Sequence, residues 1–264
     1  MPSEAELVVH ADSSLLAGDV AARLLDTLAR AQEVYGRAAL ALTAGSIMES
    51  VWKALVSVAA AVDTNGLDWS RVDVFWGDER FVPADSPDRN VLAAQNLLLD
   101  RAPFSAAAHY PMPASGAEFG DDLDAAAAAY ARTLSGARRG DDPDAQPAFD
   151  VVLLGIGPDG HCCSLFPHHP GLDDSSSTVI PVRESPKPPP QRLSLSFEGL
   201  NTAREIWVVA SGEGKAEAVA RALGGADRAD VPSAGARGTA RTLWLVDRDA
   251  AGKLPLNLWD PTAG

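Results

Sequence analysis

Cysteine is nearly absent: two residues in 264, Cys162 and Cys163, and those two adjacent. Neighbouring Cα atoms stand about 3.8 Å apart, closer than ordinary disulfide geometry accepts. A disulfide-stapled secreted scaffold is excluded, and a reducing, cytoplasmic compartment is expected. Long apolar runs are also missing. No stretch approaches the roughly 18 uninterrupted apolar residues that a membrane span needs, and residues 1–10 carry no basic patch followed by an apolar run. Neither a membrane partner nor a secretory leader is expected. Positive charge is scarce as well, with 22 Lys and Arg against 36 Asp and Glu, a net charge of −14. Such a chain repels polyanions, so nucleic acid is not an expected partner. Only four lysines are present, Lys53, Lys187, Lys215 and Lys253. A small anionic ligand would need a locally positive pocket built against the global field, which makes the position of each basic residue informative.

What is present is a chain long enough, at 46% hydrophobic residues, to bury a substantial core as one domain spanning 1–264. Leu15, Leu16, Val20, Leu24, Leu25 and Leu28 recur at helical spacing behind a cap at Asp12, Ser13 or Ser14. The apolar run 38–42 leads through Thr43, Ala44, Gly45 and Ser46 into a second helical pattern, Ile47, Val51, Leu55, Val58 and Val62. Residues 72–76 form a buried-strand candidate ending at Gly77, and Asn90 or Asp88 can cap a helix running to about residue 100. An alanine-rich helix over 121–134 ends at Gly136, and the polar stretch 135–147 connects elements within the domain. Residues 149–156 are apolar at nearly every position, as expected for a strand covered on both faces. Further strands are expected at 179–182, 193–197, 205–210 and 242–246, with a helix over 213–223. Buried strands alternating with helices predict an α/β fold, a three-layer α/β/α sandwich around a mainly parallel, Rossmann-like sheet.

In open α/β sheets ligands gather beyond the carboxyl ends of the strands, and three loops lie there. TAGS (43–46) puts Gly45 and Ser46 at a helix N-terminus, where free N–H groups favour phosphate; the glycine also fits a turn that needs only its backbone angles. GDERFVP (77–83) offers Arg80, either as a bidentate partner for phosphate or carboxylate or as an internal partner of Asp78 and Glu79. LGIGPDGH (154–161) delivers Asp159 and His161 among three glycines. An imidazole can take a proton from water at physiological pH, although a lone histidine is more often structural. The cluster of Asp159, His161, Cys162, Cys163, His168 and His169 matches no standard zinc spacing, and no metal site is expected. Cys162 as a nucleophile with His161 as base is a minor alternative to a small buried thiol. ESPKPPPQRLSLS (184–196) brings Lys187 and Arg192 across a stiff proline run, as a cation pair for an anion or as a rigid connector. SGEGKAEAV (211–219) places Lys215 in the first turn of a helix, where a positive charge opposes the dipole unless an anion is near.

GDERFVPADSPDRN, LGIGPDGH followed by SLFP, KPPPQRLSLS and GEGKAEAV, in this order and over nearly the whole chain, resemble the 6-phosphogluconolactonase family. Glucosamine-6-phosphate deaminases share the Gly-His turn but follow it with a segment like AFNEP, where this chain has Cys162 through Pro167. The resemblance implies the α/β/α fold, hydrolysis of 6-phospho-D-glucono-1,5-lactone to 6-phosphogluconate in the oxidative pentose phosphate pathway, no cofactor, and His161 as general base. Family members commonly read SGGSTP where this chain reads TAGSIM, so the match carries Gly45 and Ser46 but not Ala44. On this reading Gly45 and Ser46, with Arg192 and with Lys187 or Lys215, hold the phosphate of the sugar lactone. Asp159 orients the imidazole or caps the turn, and Arg80 faces the developing oxyanion. A monomer is expected. The rivals are a sugar-phosphate isomerase or deaminase and a non-catalytic sugar-phosphate sensor.

Overall fold

The chain is described here by a computed structural model covering residues 5–61, 66–137 and 149–259. Val62 and residues 138–147 of the expected connecting stretch lie outside the described residues. The strands are β1 (Ala5–His10), β2 (Ala38–Leu42), β3 (Val72–Trp76), β4 (Asp78–Arg80), β5 (Ala108–His109), β6 (Val151–Gly155), β7 (Val179–Val182), β8 (Arg192–Leu195), β9 (Glu205–Ala210) and β10 (Arg241–Asp247). The helices are α1 (Ser13–Tyr35), α2 (Ser46–Ala61), α3 (Asn90–Ala94), α4 (Leu123–Gly136), α5 (Phe197–Leu200), α6 (Ala216–Leu223) and α7 (Arg248–Ala251).

Seven strands form one sheet in the order β1-β10-β9-β6-β2-β3-β5, every pair parallel, with helices on both faces. The expected mainly parallel α/β/α architecture is therefore present. One part of the expectation is corrected. The strands at 179–182 and 193–197 do not join this sheet; β7 and β8 pair antiparallel with each other and with β4 in a separate three-stranded sheet. Short apolar strands look alike whichever sheet they enter, because local pattern encodes burial and not partner.

Local chemistry explains the elements that frame the site. Asp12 caps α1, its carboxylate accepting from the amides of Ser14 and Leu15 at 2.9 Å each, and Gly36 closes the helix in the left-handed conformation. Leu16, Val20, Leu24, Leu25 and Leu28 face the core, each worth about 1.5–3 kcal/mol on burial. Leu15, expected on the same stripe, is instead exposed. Neither Asn90 nor Asp88 caps α3. The carboxylate of Glu79 takes that place from a distance, accepting from the amides of Asn90 at 2.7 Å and Val91 at 3.0 Å as well as from Arg80 at 2.8 Å. Glu79 and its partner Arg89 are both buried, 3.5 Å apart.

The sheet order reverses between β2 and β6: from β2 the chain proceeds to β3 on one side, and from β6 to β9 and β10 on the other. A crevice is expected at such a switch point, beyond the carboxyl ends of the strands. The β2–β6 ladder pairs Leu40 with Val151 and Ala41 with Val152. Beyond it Thr43 bridges the seam, its hydroxyl donating to Leu153 O at 3.0 Å and accepting from Gly155 N at 3.2 Å.

Candidate active site

A cleft of about 190 Å³ opens at this switch point. Seven of the eight residues singled out in the sequence line it: Gly45, Ser46, Arg80, His161, Lys187, Arg192 and Lys215. The eighth, Asp159, stands behind His161. They arrive from five separated segments, each following a strand or belonging to the small sheet.

The turn after β6 is built around Gly157, whose amide donates to His161 O at 2.8 Å while its carbonyl accepts from Gly160 N at 2.9 Å. This curls the chain so that Nδ1 of His161 meets Oδ1 of Asp159 at 2.5 Å. The pair leaves no room for a side chain at position 157: a Cβ there would stand 1.9 Å from His161 Nδ1 and 2.3 Å from Asp159 Oδ1. Phe166 packs against the imidazole with ring centroids 4.8 Å apart. Lys187 completes the cluster, its Nζ 3.3 Å from Asp159 Oδ1 and 3.1 Å from His161 Nδ1. Burial alone would raise the Asp159 pKa. The hydrogen bond and charge of His161, with the charge and hydrogen bond of Lys187, outweigh it and hold the carboxyl well below the usual carboxylate range.

Arg192, on β8, is 4% exposed and largely occupied by its own chain. Its Nη2 donates to the carbonyls of Lys187 at 3.0 Å and Pro188 at 3.2 Å, and its Nε to that of Pro189 at 3.2 Å. The guanidinium therefore braces the proline run that carries Lys187, while also lining the cleft floor. Burial lowers its pKa, with Asp78 opposing. Asp78 is buried alongside, accepting from Ser164 Oγ at 2.7 Å, and Ser194 Oγ accepts from Ser164 N at 3.2 Å. The guanidinium of Arg80 does not pair with Asp78 or Glu79, the alternative the sequence left open. Its Nη1 donates to Asp88 O at 2.8 Å, and its buried Nε has no protein partner.

On the opposite wall Lys215 enters from the turn after β9. Burial pushes its pKa down, the charge of Lys187 adds to the effect, and Asp159 opposes it. The cleft thus gathers Arg80, Lys187, Arg192 and Lys215 in a chain of net charge −14. An acid–base pair beside four cations can bind an anion and move a proton at a carbonyl carbon.

The neighbouring groups considered for other chemistry are engaged elsewhere, although Cys163 borders the cleft. Burial, with the charge of Asp78, pushes the Cys162 thiol up to about 12, and burial first of all raises Cys163 well above its ordinary value. Both are thiols packed in the core, poorly suited as nucleophiles. His168 pairs with Asp230 and His169 bonds Arg183 O. Among the described residues, no three His, Cys, Asp or Glu side chains are gathered to hold a metal ion. The sequence does not single out Ser164, Ser211 or Asp247, because their partners are distant in the chain: Ser164 bonds Asp78, and Ser211, which also lines the cleft, bonds Asp247.

The model of the glucosamine-6-phosphate isomerases/6-phosphogluconolactonase family matches residues 11–244. The chain belongs to this family. It is 47% identical over 263 residues to a 6-phosphogluconolactonase of Streptomyces coelicolor, covering all of both chains. Identity to a 6-phosphogluconolactonase of Mycobacterium tuberculosis is 43% over 247 residues, covering 94% of this chain and 97% of the relative. Among solved structures, the 6-phosphogluconolactonase of Trypanosoma brucei superposes with a TM-score of 0.78 at 26% identity, covering 96% of this chain and 99% of the other. The family expected from the four sequence motifs is therefore the family found.

Proposed function

We propose that the chain acts, as a single domain, as a 6-phosphogluconolactonase, opening the ring of 6-phospho-D-glucono-1,5-lactone to give 6-phosphogluconate. The observation that carries the proposal is the His161–Asp159 pair set among four cations at the sheet's switch point. The names of the full-length relatives support the lactone as substrate.

With Nδ1–H donated to Asp159, the second ring nitrogen, Nε2, is left as the base. It takes a proton from water as the water oxygen bonds to C1 of the lactone. The C1–O5 bond then breaks, and the imidazolium returns the proton to the departing ring oxygen. Arg80, with its unpartnered buried Nε, faces the negative charge that develops at the carbonyl oxygen. The loop at Gly45 and Ser46 opens α2, and its free amides together with Lys215 suit a phosphate. Lys187 and Arg192 supply further positive charge, Arg192 chiefly through the chain it braces. An activated ester needs neither a covalent intermediate nor a metal for this route.

The same proposal holds the protein to be a cytoplasmic monomer; two buried free thiols suit a reducing compartment. No helix among the described residues is long and apolar enough to cross a membrane. The decisive assay uses freshly generated lactone against a no-enzyme control, because the substrate also opens unaided. Wild-type protein is expected to accelerate opening, and His161→Ala to lose most of that acceleration while still binding 6-phosphogluconate. Turnover retained in His161→Ala, or ammonia released from glucosamine 6-phosphate by the wild type, would sink the reading.

A further inference from the structure

Asp247 ends β10, one residue beyond the Val246–Ala210 pair of the β10–β9 ladder, and so stands beside the start of the loop that carries Lys215. It is 3% exposed and is not among the residues lining the cleft. Its carboxylate makes two kinds of contact. One oxygen caps α7, accepting from Ala250 N at 2.8 Å. The carboxylate also reaches across to the neighbouring strand's loop, accepting from Ser211 Oγ at 2.5 Å and from Gly212 N at 3.0 Å to one oxygen and 3.2 Å to the other.

A helix cap requires only one acceptor, and Ser, Thr or Asn at this position would serve α7 equally well. The second set of bonds has a different object. Gly212 adopts φ of +89° with ψ of 154°, a backbone region open essentially to glycine alone, and its carbonyl accepts from Lys215 N at 3.0 Å. The turn Glu213–Lys215 is therefore tied to Gly212, and Gly212 to Asp247. Lys215 leaves this turn at the N-cap position of α6, where the helix dipole disfavours a cation, and among the described residues its ammonium has no hydrogen-bond or ion-pair partner. Something other than its own contacts must hold it toward the cleft.

We propose that Asp247 is the positioning residue that aims Lys215 into the cleft, acting through the Ser211–Gly212 turn and not by contact with the substrate. This rests on the reading above that Lys215 holds the substrate's phosphate. The carboxylate fixes the loop on a rigid strand end, so that the cation is oriented before the anion arrives.

The test is a set of double-mutant cycles on the full chain, read as KM and kcat for freshly made 6-phosphogluconolactone, with thermal melts as a check on folding. Lys215→Met is expected to raise KM. Asp247→Ala and Ser211→Ala are each expected to raise KM by about threefold to tenfold with kcat changed less than about twofold, and to change KM by less than about twofold once Lys215 is already Met. Asp247→Asn, whose oxygen keeps the bonds to Ala250 N and Gly212 N and whose amide group can donate to Ser211 Oγ, should recover most of the loss. Ser211→Ala leaves the α7 cap intact and carries the test if Asp247→Ala does not fold. If Lys215→Met leaves KM unchanged, the phosphate reading fails and the inference falls with it. If Lys215→Met raises KM but the Asp247 or Ser211 change raises it again by its full factor in that background, the reading stands and the inference alone is overturned.

Discussion

Arg192 donates to the main-chain carbonyl of Lys187 at 3.0 Å, and Lys187 in turn brings its ammonium to 3.1 Å from the imidazole of His161. The link between a strand of the small sheet and the proposed base runs through one guanidinium and three successive carbonyls. A lysine at position 192 keeps the charge but loses the planar fork that reaches them. Arg192→Lys should therefore behave as a positional defect, with kcat/KM lower by about tenfold to a hundredfold and the folded content seen by circular dichroism unchanged. Near-wild-type kcat/KM would show that charge alone matters there.

Position 157 tolerates no Cβ while His161 and Asp159 remain paired, because the added atom would lie within 2.3 Å of both side chains. Gly157→Ala must push the pair apart or distort the turn. A displacement of about 1 Å at the reacting group lowers turnover by about a hundredfold. Lactone opening should fall by that order while 6-phosphogluconate still binds, measured by stopped assay and by calorimetry.

Asp159 gives a pH signature in stability. Its carboxyl is held below the unfolded value, so the contribution is present above about pH 4 and is lost as pH falls through the folded value. Asp159→Asn should be less stable than wild type in urea at pH 7, and the gap should close progressively in acid below pH about 4. A gap of constant size across that window would assign the loss to packing instead.

Lys215 is held below the ordinary lysine range by burial and by the charge of Lys187. Its positive charge, and with it the affinity for 6-phosphogluconate, should therefore fade on the alkaline side earlier than for an exposed lysine. Lys187→Met removes a like charge, stabilises the Lys215 ammonium and should move that alkaline decline to higher pH, even though overall affinity drops. Titration calorimetry across the alkaline range reads both effects; an unmoved decline would mean that another group sets it.

The sheet and the reactive turn were legible for physical reasons. Strands β2, β3, β6 and β9 are covered on both faces and appear as apolar runs, and the glycines around Asp159 and His161 mark a chain that must curl tightly. β1 is not legible in the sequence because it is an edge strand, mostly half-buried, with a weak pattern. The apolar pattern marks β7 and, to within two residues at its end, β8 as strands but not the sheet they enter, since pairing is decided at long range. The same limit hid Glu79 as the cap of α3 and Asp247 as the anchor of the Ser211 turn. The sequence marks Arg192 as a cation, but its engagement with the carbonyls at 187–189 depends on a loop geometry that composition does not encode.

Thr43 joins β2 to β6 across the crevice by one hydroxyl that both gives and receives a hydrogen bond. One side chain thus both lines the ligand site and adds a tie to the β2–β6 ladder at the centre of the sheet. An engineer who repacks this seam for heat resistance will also be altering the grip on the ligand, and Thr43→Val, close in shape but without the hydroxyl, would loosen both at once.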